Sequence, residues 1–229
     1  MTDARIDAGA LTGRAVIVTG AAQGVGKGIA GALLQRGASV LLVDNKTEML
    51  AATIDEFSSE GWTFEFLVAD LRDRDSPGDI IGAALRNFGK VDGLVNDAIA
   101  TNEPKALVDI TSDDYDLGSG SGTGGQSQFS AYGAAKEAIR GMSKAAALEW
   151  GADNIRVNVI CPFADSPGVR FWQDVAPKEF DRALRGVPLH RVGRTREDIG
   201  AVVAFLIGDD GGFITGQTIM VDGGMGVFR

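Results

Sequence analysis

Cysteine and histidine are almost absent from this chain of 229 residues, where Cys161 and His190 are the only examples. A lone cysteine excludes an internal disulfide. A lone histidine leaves a Ser-His-Asp hydrolase or a His-rich metal centre without its parts, and no metal site is expected. Long apolar runs are also missing, which excludes a transmembrane helix. Basic residues fall short of acidic ones, 22 against 31, and the net charge of −9 disfavours nucleic acid and an anionic membrane as partners. The opening "MTDARIDAGA" lacks the apolar stretch of a secretory signal, so a reducing cytoplasm is the expected setting.

What the chain does have is apolar residues in regular order. They make up 45% of it, enough for one continuous core, and a single domain over residues 1–229 that binds a small molecule is expected. "RAVIVTG" is a β-branched run ending in glycine, and "AAQGVGKGIAGALLQRG" repeats its apolar residues at helical spacing until Gly37. "SVLLVD", "TFEFLVAD" and "VDGLVND" read as further strands, alternating with the helices "KTEMLAATIDEFSSE" and "SPGDIIGAALRNFG". Such alternation predicts a Rossmann-type α/β fold, a doubly wound parallel sheet with helices on both faces. Downstream, the Ala-rich "SAYGAAKEAIRGMSKAAALEWG" predicts a helix, "IRVNVICP" a strand, "TREDIGAVVAFLIGDD" a helix with a Thr cap, and "GQTIMVDGG" a last strand.

Gly20, Gly24 and Gly26 follow the first strand and open the first helix. This spacing lets backbone amides and a helix N-terminus face a pyrophosphate with no Cβ in the way, although an ordinary tight turn uses the same residues. Asp44 closes the second strand, where its carboxylate would accept the ribose hydroxyls and repel a 2′-phosphate, favouring NAD over NADP. It would equally serve as a strand-end cap, and Lys46 nearby softens the discrimination.

Tyr132 and Lys136 are four apart in the Ala-rich helix and project from one face. An ammonium beside a phenol favours the phenolate and so makes a usable base at neutral pH, yet a half-buried tyrosine beside a surface lysine has the same spacing. The Gly/Ser run from Gly118 to Gly125 reads by composition as a flexible linker.

Taken together, "TGAAQGVG", Asp44, "ADL" at 69–71, "GLVNDA" at 93–98, "YGAAK" at 132–136, "IRVNVICP" at 155–162 and "TGQTIMVDGG" at 215–224 resemble the short-chain dehydrogenase/reductase family, from about Leu11 onward. The resemblance implies an NAD-dependent oxidoreductase acting on a secondary alcohol or ketone. Tyr132 would be the catalytic acid/base, and Lys136 would lower its pKa and hold the nicotinamide ribose. Ser119, 13 residues before Tyr132, would orient the substrate oxygen, which makes the Gly/Ser run an active-site loop. Gln23 and Val25 would join the glycines against the cofactor, Asp70 and Leu71 would meet the adenine, and Asn96, Ala98, Pro162 and Ser166 would complete the cofactor site. A homotetramer or dimer built on the Ser130–Trp150 helix is implied as well.

Three departures stand out. The family's Asn-Asn-Ala-Gly reads Asn96-Asp97-Ala98-Ile99, and Phe163 replaces the usual glycine after Pro162. Only 22 residues separate Asn96 from Ser119, where loops, a crossover helix and a strand need about 50. About one helix and one strand are therefore expected to be missing at Asp116/Leu117, through residues of the natural chain left out there or through a deletion that opens the sheet. The deletion would favour the alternative of a non-catalytic dinucleotide-binding or assembly protein. Residues 168–188 read as a substrate lid, whose Phe171, Trp172 and Phe180 either line a pocket or pack the lid itself.

Overall fold

The computed structural model describes residues 7–99 and 130–226. Asp116, Leu117 and Ser119 lie outside the described residues, as does the side chain of Tyr132. The chain divides into two compact units, one of Met1–Ala98, Pro162–Gly212 and Val221–Met225, the other of Ile99–Cys161, Phe213–Met220 and Gly226–Arg229.

The first unit is built on strand β1 (Ala15–Thr19), every residue of which is buried. A strand covered on both faces reads as an unbroken apolar run, the pattern of "AVIVT". On one side β1 pairs in parallel with β2 (Ser39–Asp44), Ala15 opposite Ser39 and Thr19 opposite Val43. β3 (Glu65–Val68) extends the sheet beyond β2, and β4 (Gly93–Asn96) pairs on the other side of β1, giving the order β3-β2-β1-β4. All pairings in this sheet are parallel, as the alternation predicts.

The helices between the strands are α1 (Gly24–Leu34), α2 (Thr47–Ser59) and α3 (Ser76–Phe88). Local chemistry bounds α3: Pro77 stands in its first turn, Asp79 and Arg86 complement the dipole at its two ends, and Gly89 closes it in the left-handed conformation. Its Ile80, Ala83 and Ala84 pack on Ile17, Leu41 and Val43, one core of the sheet.

After these come α4 (Ser130–Trp150), β5 (Val159–Pro162), α5 (Pro167–Val175), α6 (Pro177–Gly186), α7 (Ala201–Ile207) and β6 (Thr218–Val221). β5 and β6 form a two-stranded ladder. It is parallel, because the bonds Val159 N–H to Gln217 O and Phe163 N–H to Val221 O advance together along both strands. β5 starts later than expected because Asn158 spends its side chain on the backbone, donating to Ile214 O at 2.8 Å and accepting from Gln217 N–H at 3.1 Å.

The expected Thr cap before α7 is absent. Thr195–Gly200 forms a π-helical turn instead, with Arg194 at the cap position and no side-chain capping bond. The reason is packing against α1: a Cβ built on Gly28 would fall 2.4 Å from Thr195 Cβ, and one on Gly200 would fall 2.4 Å from Ala32 Cβ. Asp198 holds the turn, accepting from Arg194 N–H at 2.6 Å and from both terminal nitrogens of Arg191 at 2.6 and 2.9 Å. The guanidinium draws the Asp198 pKa down to about 2. Arg196 reaches from the same turn to α2, bonded to both Glu60 oxygens at 3.0 Å and lying 4.9 Å over the Trp62 ring.

The segment read as a lid consists of α5 and α6. Trp172 and Phe180 meet edge to face at 5.3 Å within a small core that includes the buried Phe163 and Val187. They pack the segment, whereas Phe171 is two-thirds exposed.

Candidate active site

The carboxyl ends of parallel strands are where ligands bind in open α/β sheets, and the first unit concentrates its buried polar bonding there. Thr19, the last residue of β1, is 3% exposed. Its Oγ1 donates to Val95 O at 3.3 Å and accepts from the N–H groups of Asp97 and Ala98, both at 3.2 Å. One hydroxyl thereby ties the end of β1 to the end of β4.

This draws Ala98 over Gly20. A Cβ on Gly20 would lie 2.8 Å from Ala98 N, and its φ of 70° belongs to the left-handed region, so both space and conformation require glycine. The turn beyond Gly20 is pinned to β2 and α2. Ala21 N–H bonds Val43 O, Ala22 N–H bonds Asp44 Oδ2 at 3.0 Å, and the buried Thr53 hydroxyl donates to Ala22 O at 2.8 Å. Asp44 also accepts from Lys46 N–H at 3.0 Å through Oδ1, so the strand-end cap reading holds without removing the carboxylate from the turn.

Gln23, at the N-cap of α1, makes no capping bond with its side chain, and the first turn of α1 carries no acidic residue. Gly24, Val25 and Gly26 form that first turn. Pro167 packs against Gly24, its Cδ 3.0 Å from where a Cβ would stand, so α5 starts beside the glycine turn. Ser166 caps α5, accepting from Val169 N–H at 3.3 Å.

Asp70 and Leu71 follow β3. Arg72 Nε donates to both Asp70 oxygens at 3.0 and 3.1 Å, Arg72 N–H donates to Oδ1, and these bonds hold the carboxyl well below the usual carboxylate range. Leu71 and Asn96 are exposed. Gly20, Gln23, Gly24, Val25, Gly26, Asp44, Asp70, Leu71, Asn96, Ala98, Pro162 and Ser166 thus share the first unit, and Lys136 lies half-buried on α4 in the second, one helical turn after Tyr132. Phe163 does not crowd this region with an exposed ring, being part of the small core beneath α5 and α6.

Sequence reasoning missed Thr19, Thr53 and Pro167. Two of them carried a signal: each threonine stands at a position its strand or helix buries, where a polar group is retained only with partners.

Comparison with known proteins shows the family of this chain. The family model "short chain dehydrogenase" matches residues 14–117, and "Enoyl-(Acyl carrier protein) reductase" matches residues 117–226. A 12alpha-hydroxysteroid dehydrogenase from Clostridium sp. is 32% identical, covering 95% of this chain and 98% of the relative. A 3-oxoacyl-acyl-carrier-protein reductase from Thermotoga maritima is 28% identical over 94% of this chain and 98% of its own. A solved short-chain type dehydrogenase/reductase from Mycobacterium ulcerans superposes with a TM-score of 0.86 at 26% identity, covering 94% of this chain and 90% of that one.

The chain belongs to the short-chain dehydrogenase/reductase family, whose members are oxidoreductases that use a nicotinamide cofactor. The alignment to the Clostridium relative spans 255 positions, yet 95% of 229 residues is about 218, so about 37 of its positions face no residue here. The two family matches meet at residue 117, the point where the sequence runs short.

Replacing Thr19 by Val keeps its shape and strips two N–H groups of their acceptor. The unfolding free energy in urea is expected to fall by ~2 kcal/mol, with Thr19→Ser restoring most of it. A loss below ~0.5 kcal/mol would show that the hydroxyl does not organise this end of the sheet.

Proposed function

We propose that this chain is an NAD-dependent oxidoreductase that transfers hydride between the nicotinamide and a secondary alcohol or the matching ketone, as one dinucleotide-binding domain of the reducing cytoplasm. The observation that carries the reading is the glycine turn locked against Asp44 at the carboxyl end of β2, in a chain that also places Tyr132 and Lys136 one turn apart on α4. The names of two relatives support it, since a hydroxysteroid dehydrogenase and a 3-oxoacyl reductase both interconvert a secondary alcohol and a ketone.

NAD, when bound, supplies the hydride acceptor at C4 of its nicotinamide. The glycine turn and the first turn of α1 would hold its pyrophosphate, and Asp44 would accept from the adenine ribose. Lys136 favours the phenolate of Tyr132. Shifting that phenol by ~3 pKa units takes about 4 kcal/mol, within reach of a close and partly desolvated cation. Tyr132 then exchanges the hydroxyl proton, while Ser119 donates to the substrate oxygen so that the developing alkoxide meets a fixed hydrogen bond.

Tyr132→Phe is expected to lower kcat by at least 10²-fold while NAD still binds, measured by nicotinamide absorbance with a panel of alcohols and ketones alongside NAD titration. Near-normal turnover would end the assignment of Tyr132. The Asp44 carboxylate, set against a 2′-phosphate, should make kcat/KM for NADP(H) at least tenfold lower than for NAD(H), equivalent to about 1.4 kcal/mol. Equal values would mean that Asp44 does not select the cofactor.

Self-association through α4 completes the reading, as a tetramer or dimer. Met142 and Leu148 stand exposed on that helix, with Ala134, Ala138 and Ala145 offering room for close approach. Multi-angle light scattering should return a multiple of 23.9 kDa, and a monomer at micromolar concentration would refute the interface.

A further inference from the structure

β4 is the last strand of the four-stranded sheet, and among the described residues its outer edge has no strand beside it. Its two faces differ. On one, a Cβ built on Gly93 would lie 3.5 Å from Ile207 Cδ1, so α7 covers that side. On the other, Leu94 stands opposite Ile17 in the ladder, and Ile17 is buried beneath Ile80, Ala83 and Ala84 of α3, yet Leu94 itself is 52% exposed. α3 packs over β1, β2 and β3 and carries a second apolar row, Ile81 and Leu85, which stand 40% and 48% exposed one turn apart.

Handedness names what fits there. The path from β3 through α3 to β4 crosses the sheet in the same direction as a path from β4 to a strand beyond it, so right-handed crossovers put both helices on one face. The bare face of β4 is therefore the one that the helix of such a unit covers, next to α3. The chain itself is short for that unit: 22 residues lead from Asn96 to Ser119, where a helix, a strand and their loops need about 50. An edge strand reading "GLVN", with no charge or proline to guard it, also leaves N–H and C=O groups open to pairing. We propose that β4 and α3 form a docking site for a helix-and-strand segment of another polypeptide, its strand pairing in parallel with β4 and its amphipathic helix lying over Leu94 beside Ile81 and Leu85. This holds whether or not the glycine turn binds a dinucleotide.

The test is fluorescence anisotropy of a labelled synthetic peptide titrated with the full chain, the peptide being the stretch of the Clostridium relative between its counterparts of Asn96 and Ser119. Saturable binding is expected, weakened on the order of tenfold by Leu94→Asp and by Leu85→Glu and unchanged by Phe66→Lys on the opposite edge strand. Amide exchange along β4 should slow when the peptide is bound. Should either charged variant fail to fold, Leu94→Ser and Leu85→Ser must weaken binding in the same direction. Absence of saturable binding overturns the proposal, as does equal binding of a scrambled peptide or binding that ignores Leu94 and Leu85. A dimer of the free chain that Leu94→Asp dissociates would give this edge to a second copy and would overturn it too.

Discussion

A single buried hydroxyl organises the binding end of the sheet. Thr19 accepts two backbone N–H groups from the chain leaving β4 and donates to a third backbone group, so β4 turns over the end of β1 at a fixed place. The crowding this creates between Ala98 and Gly20 leaves room only for glycine, and the glycine sends the chain toward β2. There Ala22 offers its N–H to Asp44 and its carbonyl to Thr53. The result is a continuous belt of hydrogen bonds from β4 through β1 to β2 and α2, across the strand ends where α/β sheets bind ligands. The separate requirements of the site, a Cβ-free turn and a carboxylate aimed at it, follow from one belt.

A second fastening stands behind the turn. α1 meets the π-helical turn of Thr195–Gly200 through glycine and alanine, at distances no larger residue allows, and Arg196 carries the contact on to Glu60 and Trp62 of the α2 side. The local sequence favours Thr195 as the cap of a regular helix. Long-range packing overrides that preference, because a π turn brings the flat Gly28 surface against Thr195 while Asp198 satisfies the freed Arg194 N–H.

The alternation of strand and helix, the glycine triplet and Asp44 were legible in the sequence because they depend on local period and local spacing. Thr19 and Thr53 were not, since their partners lie 76–79 and 31 residues away and no pattern announces such pairs. The division of labour among Phe171, Trp172 and Phe180 was equally hidden, because i and i+1 on a helix differ in face only once the neighbouring helix is in place. β5 came out shorter than its apolar run because Asn158 engages the backbone with its side chain. The shortfall before Ser119 was legible from chain length alone, and about 37 unmatched positions in the Clostridium relative agree with it. The reading of Ser119 and of the Tyr132 phenol rests on resemblance to the family.

The tight seat of α1 also bears on how this protein can vary. Every single-base change in a glycine codon that alters the residue adds at least a Cβ, and at Gly28 and Gly200 that atom has nowhere to go without moving Thr195 or Ala32. Substitution at either position therefore requires Thr195 or Ala32 to shift. The exposed face of α5, where Phe171 and Val175 point into solvent, is free to change without disturbing the seat. Change can then accumulate on one face of this segment while the turn beside it stays the same.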